Sequence, residues 1–225
     1  MSRPPIEAWR TAESFVPLLA MLLLGQLAIP FSQHSPVASL VLTGGLLLAC
    51  IPAVRPSARM RVGVTAGLVL VMGLRIAAEL RGIEHVTLTV TGLLATAVYI
   101  GFIAFHVFAA VVRSARVNAN TIMGAICVYV LVAHAFAPLY FALEVYRPGA
   151  IRGIGAASIH DFLYFSVITM TTLGFGDIVA VTPAARVLVM IEAMSGQLFM
   201  AVFVARLVGS WGAAPPSSNE GPRTG

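Results

Sequence analysis

Of 225 residues, 59% are hydrophobic and only 10% are charged, a balance that excludes an ordinary soluble domain and calls for an integral membrane protein. All fourteen basic residues are arginines, set against nine acids for a net charge of +5. Scattered guanidinium groups without a lysine-rich arm exclude a nucleic-acid partner and make the charge a topology signal instead.

Apolar runs fall at 15 to 31, 36 to 54, 62 to 80, 86 to 112, 119 to 143 and 184 to 208, each near or above the roughly 20 residues that a helix needs to cross the hydrocarbon core. Six spanning helices are expected. The first run lies between Pro17 and Pro30 behind Arg3 and Arg10 and so resembles a secretory signal. No small-residue cleavage site follows it cleanly, and its loss would leave an odd number of spans, so it is expected to be retained. The fourth and fifth runs exceed one crossing and are expected to tilt or to project into water. Placing both termini in the cytoplasm puts nine of the fourteen arginines inside, the side that positive charge favours.

This reading gives a cytoplasmic N-terminus at 1–14, a four-helix transmembrane region at 15–112, a basic cytoplasmic linker at 113–118 and a disordered cytoplasmic tail at 210–225. The tail is small, polar and proline-containing, so no soluble ligand-binding domain is expected in this chain. Arg113 and Arg116 invite a voltage-sensor reading, but the run from Val86 to Val112 contains no arginine. A sensor threads several through the bilayer, so these two are read as anchors of a helix end. Arg75 and Glu79, one turn apart, are expected to pair near the outer interface. Cys50 and Cys127 lie inside apolar runs, where cysteine acts as a small buried hydrophobe and offers no disulfide framework. His106 and His134 lack spaced partner ligands, so they are read as satisfied membrane histidines and not as a metal site; His160 is a lone loop histidine.

The informative stretch lies between the last two runs. "SIHDFLYFSVITMTT", from Ser158 to Thr172, opens with a capping serine and places Asp161 at the positive end of a helix dipole. Ten residues rise only about 15 Å, half the hydrocarbon thickness, so this helix is expected to enter and return on one side. "TLGFG" then supplies the return, and non-helical backbone at membrane depth is tolerated only where it is buried in protein or lines water.

"TMTTLGFGD", with "DFLYFSVI" before it and an apolar helix containing Gly196 after it, resembles the pore domain of the tetrameric potassium-channel superfamily, whose filter is usually written TVGYG. The resemblance covers roughly 119–209, and residues 1–112 share only the supply of four preceding spans. It implies an outer helix, a pore helix at 158–171, a filter at 172–176 and an inner helix at 184–208. Dehydrated K+, the permeant ion, would be held by the carbonyls of Thr172, Leu173, Gly174 and Phe175 and by the Thr172 hydroxyl, in a cage completed by three further copies of the chain. Gly174 and Gly176 would permit the backbone conformations this needs. Gly176, Asp177, Tyr164 and Phe165 would support the filter. Relatives often carry tryptophan at the place of Phe165 and tyrosine at that of Phe175, so Asp177 is expected to lack one partner. The filter is therefore expected to be held more by apolar packing than by hydrogen bonds.

In the last run, Gly196 stands nineteen residues beyond Asp177, a spacing similar to that of the family's hinge glycine, and Gln197, Met200 and Val204 would face the cavity. Glu192, an acid at membrane depth one turn earlier, is a functional candidate by default, either enclosed behind the filter or attracting ions. The expectation is an all-α membrane protein of the cell membrane, with six transmembrane helices, a re-entrant pore helix and a selectivity-filter loop. It would form a homotetrameric K+ channel in the lipid bilayer, without catalytic residues or an organic cofactor. A weakly selective cation channel, a non-conducting accessory subunit and an ion-coupled secondary transporter are the alternatives. The transporter expects inverted repeats, yet the glycine-rich segment occurs once.

Overall fold

A computed structural model describes residues 15–28, 36–49, 58–81, 85–114, 117–155 and 158–212. The helices are α1 (Val16–Leu27), α2 (Pro36–Ala49), α3 (Ala58–Arg81), α4 (Val86–Arg113), α5 (Ala119–Tyr146), α6 (Ile159–Met170) and α7 (Pro183–Gly212). Two short strands, β1 (Ile151–Arg152) and β2 (Val179–Ala180), pair antiparallel. Among the described residues, four helical segments are long and apolar enough to cross a membrane: Val62–Arg81, Val86–Arg113, Ala119–Tyr146 and Pro183–Gly209. The chain is thus an all-α, multi-pass membrane protein. The first two apolar runs appear as helices of 12 and 14 residues, shorter than a crossing. Their remaining residues, Cys50, most of the N-terminal segment and most of the tail lie outside the described residues.

Side chains from five helices build one core. Leu18 and Leu22 of α1 meet Leu47 of α2, Leu68 of α3, Ile103 of α4 and Leu131 of α5. The most extensive pairing joins α4 to α5. Asn118 caps α5 by accepting the Thr121 backbone N–H at 2.8 Å, and Asn120 accepts the N–H of Phe15 at 2.8 Å, which fixes the start of α1 on α5. Cys127 is buried, and its Sγ lies 3.7 Å from the Phe15 carbonyl. At the same end of the bundle, the Arg206 guanidinium of α7 donates to the carbonyls of Val111 at 2.6 Å and Ser114 at 2.5 Å. These carbonyls lie at the C-terminus of α4, where a cation also complements the helix dipole.

A second core holds the short helix. Phe162, Phe165 and Ile168 of α6 pack with Tyr140 of α5 and Ala185 of α7, and the Phe141 and Phe162 rings stack at 5.0 Å. The face of α6 that carries these side chains is therefore committed to neighbouring helices, while Tyr164 is exposed. Pro138 lies inside α5 without ending it.

Candidate functional site

The site begins with α6, a 12-residue helix whose Ser158 cap accepts the His160 backbone N–H. At its other end Thr171 Oγ1 donates to the Val167 carbonyl at 2.7 Å, and the Gly174 N–H donates to the Ile168 carbonyl at 3.2 Å, which turns the chain back on itself. Thr172, Gly174 and Gly176 have φ of 59°, 47° and 82°. Leu173 and Phe175 between them keep negative φ, so left-handed conformations fall on every second residue. A threonine there is strained by its Cβ, and such strain gathers at functional sites. Residues 171 to 177 are exposed.

The side chains of Leu173 and Phe175 are themselves 60% and 68% exposed, so within one chain no apolar packing holds this segment. Hydrogen bonds do more. Tyr164 Oη donates to Asp177 Oδ2 at 2.7 Å, which gives Asp177 the partner that the sequence reading withheld. Phe165 does not take part; it is buried with its ring edge on Tyr140, centroids 4.9 Å apart. The Tyr129 hydroxyl donates to the Met170 carbonyl at 2.9 Å, tying α5 to the C-terminal end of α6.

Behind α6 sits the enclosed acid. Glu192 is fully buried; its Oε2 accepts the Tyr140 hydroxyl at 2.5 Å, and its Oε1 meets the Ser166 hydroxyl. Ser166 Oγ also lies 2.8 Å from the Ala133 carbonyl. One carboxyl therefore joins α5, α6 and α7, and it does not lie with Gln197, Met200 and Val204, which are exposed along α7. Gly196 is buried: a Cβ there would stand 2.8 Å from Met170 Cγ and 2.9 Å from the Met170 carbonyl oxygen. Its missing side chain is what lets α7 approach the end of α6.

Beyond Asp177 the chain is laced to the loop after α5. Ile151 pairs with Ala180 and Arg152 with Val179, and Glu144 accepts the N–H groups of Gly149 at 2.7 Å and Ile151 at 2.9 Å. Gly153, with φ of 96°, lies so close to the Asp177 carbonyl that a Cβ would stand 1.9 Å from its oxygen. Gly153, Glu144, Tyr140, Ser166 and Tyr129 escape a motif-based reading. The available signals were polar groups stranded in apolar helices, each of which needs a partner. The expected Arg75 and Glu79 pair is not made: among the described residues no ion pair within 4.0 Å forms, although Arg75 feels the Glu79 charge. No group of three or more metal-ligating side chains occurs among the described residues.

The Tyr164 hydroxyl, as donor to the Asp177 carboxylate, holds its pKa below the usual aspartate value, because the bond favours the charged form. Stability gained this way is present above the unfolded aspartate value and is lost as pH falls through the lowered one. Replacing Tyr164 with phenylalanine is expected to move the Asp177 titration upward towards the ordinary range. Carboxyl-carbon NMR on aspartate-labelled protein reads the midpoint, and an unmoved midpoint would refute the coupling.

Residues 125–210 match a protein-family model described as "Ion channel". The chain is 37% identical over 78 residues to the inward rectifier potassium channel Kirbac3.1 of Paramagnetospirillum magnetotacticum, over 33% of this chain and 24% of that protein. The match thus spans about a quarter of that relative's length. No solved structure matches the chain. Both similarities point away from an enzyme.

Proposed function

We propose that this chain, whose residues 125–210 match an ion-channel family model and resemble part of a potassium channel, conducts K+ passively through a pore formed by four copies, with both termini in the cytoplasm. The carrying observation is the alternation of left-handed φ at Thr172, Gly174 and Gly176. Alternating the hand of successive residues turns successive carbonyls towards one side. A row of such carbonyls replaces the hydration shell of a cation without placing a fixed charge that would trap it. In this reading α6 is the re-entrant pore helix, and its C-terminal end near Thr171 directs partial negative charge towards the cavity. Thr172, Leu173, Gly174 and Phe175 offer the ion-binding oxygens, and Gly176, Asp177 and Tyr164 hold their outer end.

Oligomerisation is supported by α7. The amide of Gln197 and the apolar side chains of Met194 and Leu198 beside it are all exposed in one chain. An amide facing lipid at mid-membrane is unfavourable, whereas one facing a water-filled cavity between copies is not. Gln197, Met200 and Val204 would line that cavity, and Gly196 combines close packing with the low helix propensity of a hinge. The two apolar runs at 15 to 31 and 36 to 54, each near the length of a crossing, bring the spans to six in this reading.

Purified protein reconstituted alone into a planar bilayer, under opposed K+ and Na+ gradients, tests this directly. Current is expected to reverse near the potassium equilibrium potential and to vanish with Gly174→Ala, since alanine is strained at φ 47°. Reversal near zero would replace selectivity with a general cation pore. Current that survives Gly174→Ala unchanged would remove this segment from the conduction path.

A further inference from the structure

Between α2, α4, α5 and α6 lies a cavity of about 70 Å³, away from the TLGFG segment. Its walls are apolar, with Leu42, Leu46, Ile100 and Leu163 among them, and its polar side chains are Arg75, Thr43, Thr96, His134 and His160. No carboxylate lines it.

Arg75 is the feature that needs an explanation. It sits six residues before the end of α3, about 9 Å along the axis from that end. Its stem lies over Gly92 of α4, where an added Cβ would come 3.7 Å from Arg75 Cδ. The side chain is therefore held against a neighbouring helix, and its head lines the cavity. It makes no hydrogen bond and no ion pair among the described residues, Glu79 acting only through its field. Every fully buried side-chain nitrogen or oxygen among the described residues has a partner, so the unpartnered Arg75 nitrogens are not fully enclosed by the protein and stay open to a ligand. A half-buried cation with five unused donors in an apolar, carboxylate-free chamber calls for an anion with an apolar body.

We infer that the cavity binds the carboxylate of a single-chain fatty acid drawn from the bilayer, held by the Arg75 guanidinium, with its chain leaving past Leu42 and Leu163. Three features select this occupant. A planar carboxylate matches the guanidinium fork and accepts two parallel hydrogen bonds from it. No carboxylate lines the cavity to compete for the guanidinium. The volume admits a carboxylate and its first methylenes but not the phosphoglycerol and paired chains of a phospholipid. The site is independent of conduction, and so is its test.

The full chain is reconstituted in phosphatidylcholine vesicles with a diazirine-bearing palmitate, irradiated, and mapped by mass spectrometry. Label is expected on Leu42, Leu46 or Leu163, displaced by palmitate and not by the neutral hexadecanol. Arg75→Gln is expected to lower it about tenfold, the effect of losing charge-assisted hydrogen bonds. Arg75→Lys is expected to retain part of it. Leu46→Trp, which fills the chamber while keeping Arg75, is expected to abolish it, and this second variant keeps the test open should Arg75→Gln misfold. Label confined to outward residues such as Leu70 and Val98, or indifferent to both Arg75→Gln and Leu46→Trp, would overturn the proposal and leave a merely hydrated cavity. Equal displacement by hexadecanol, or displacement by phosphatidylglycerol alone, would overturn the carboxylate assignment.

Discussion

Glu192→Ala is expected to destabilise the protein by about 3–5 kcal/mol, because it strands the buried Tyr140 hydroxyl and opens a cavity where three helices meet. Tyr140 and Ser166 both point at this carboxyl; without it Ser166 keeps the Ala133 carbonyl as acceptor, whereas the Tyr140 hydroxyl is left with none among the described residues. Glu192→Gln is expected to stay within about 1 kcal/mol of the parent. The amide is the same size, its oxygen accepts from Tyr140, and its nitrogen donates to Ser166. Ser166 has a single hydroxyl proton and two acceptors in reach, Glu192 and the Ala133 carbonyl; a donor at position 192 releases that proton for Ala133. Tyr140→Phe removes one of the bonds and is expected to cost about 1–2 kcal/mol. Thermal unfolding in detergent orders the three variants. A Glu192→Ala protein as stable as Glu192→Gln would mean that the carboxyl holds nothing together.

That cluster marks where sequence reading ran out. Length and hydropathy placed the four long helices within a few residues, since a run such as 86–112 has no alternative fold in lipid, and α4 occupies Val86–Arg113. The short helix and TLGFG were equally legible, because Ser158, the helix length and the paired glycines are local signals. Glu192 was legible only as an oddity. Its partners lie 52 and 26 residues away, and no local pattern encodes which polar tip of one apolar helix meets which of another. The same limit hid the bond from Tyr164 to Asp177. A missing indole at position 165 was visible in the sequence, but whether the phenol one residue earlier would reach the acid depends on how α6 is rotated, which packing against Phe141 and Tyr140 decides. Arg75 failed in the opposite sense: a spacing of four residues permits a pair with Glu79, yet Glu79 is exposed while the guanidinium is drawn towards the cavity beside Gly92.

Gly153→Ala is the substitution whose effect the backbone alone dictates. A methyl group 1.9 Å from the Asp177 carbonyl oxygen cannot be accommodated by a rotamer change, since both groups belong to the main chain. Either the loop after α5 or the segment after Gly176 must move. Moving the loop breaks the Ile151 and Ala180 pairing and the Val181 N–H bond to Ala150 at 2.9 Å; moving the other segment shifts Asp177 off Tyr164. To this is added the cost of a Cβ at φ 96°, so a loss of at least about 2 kcal/mol is expected. Gly149 supplies the internal control. Its φ is also positive, 83°, but nothing lies within 4 Å of an added Cβ, so Gly149→Ala bears the conformational term alone, about 1 kcal/mol. The difference between the two variants measures the contact between the loop and Asp177, free of the shared backbone term. Equal losses would show that the loop does not press on Asp177, and the outer end of TLGFG would then depend on Tyr164 alone.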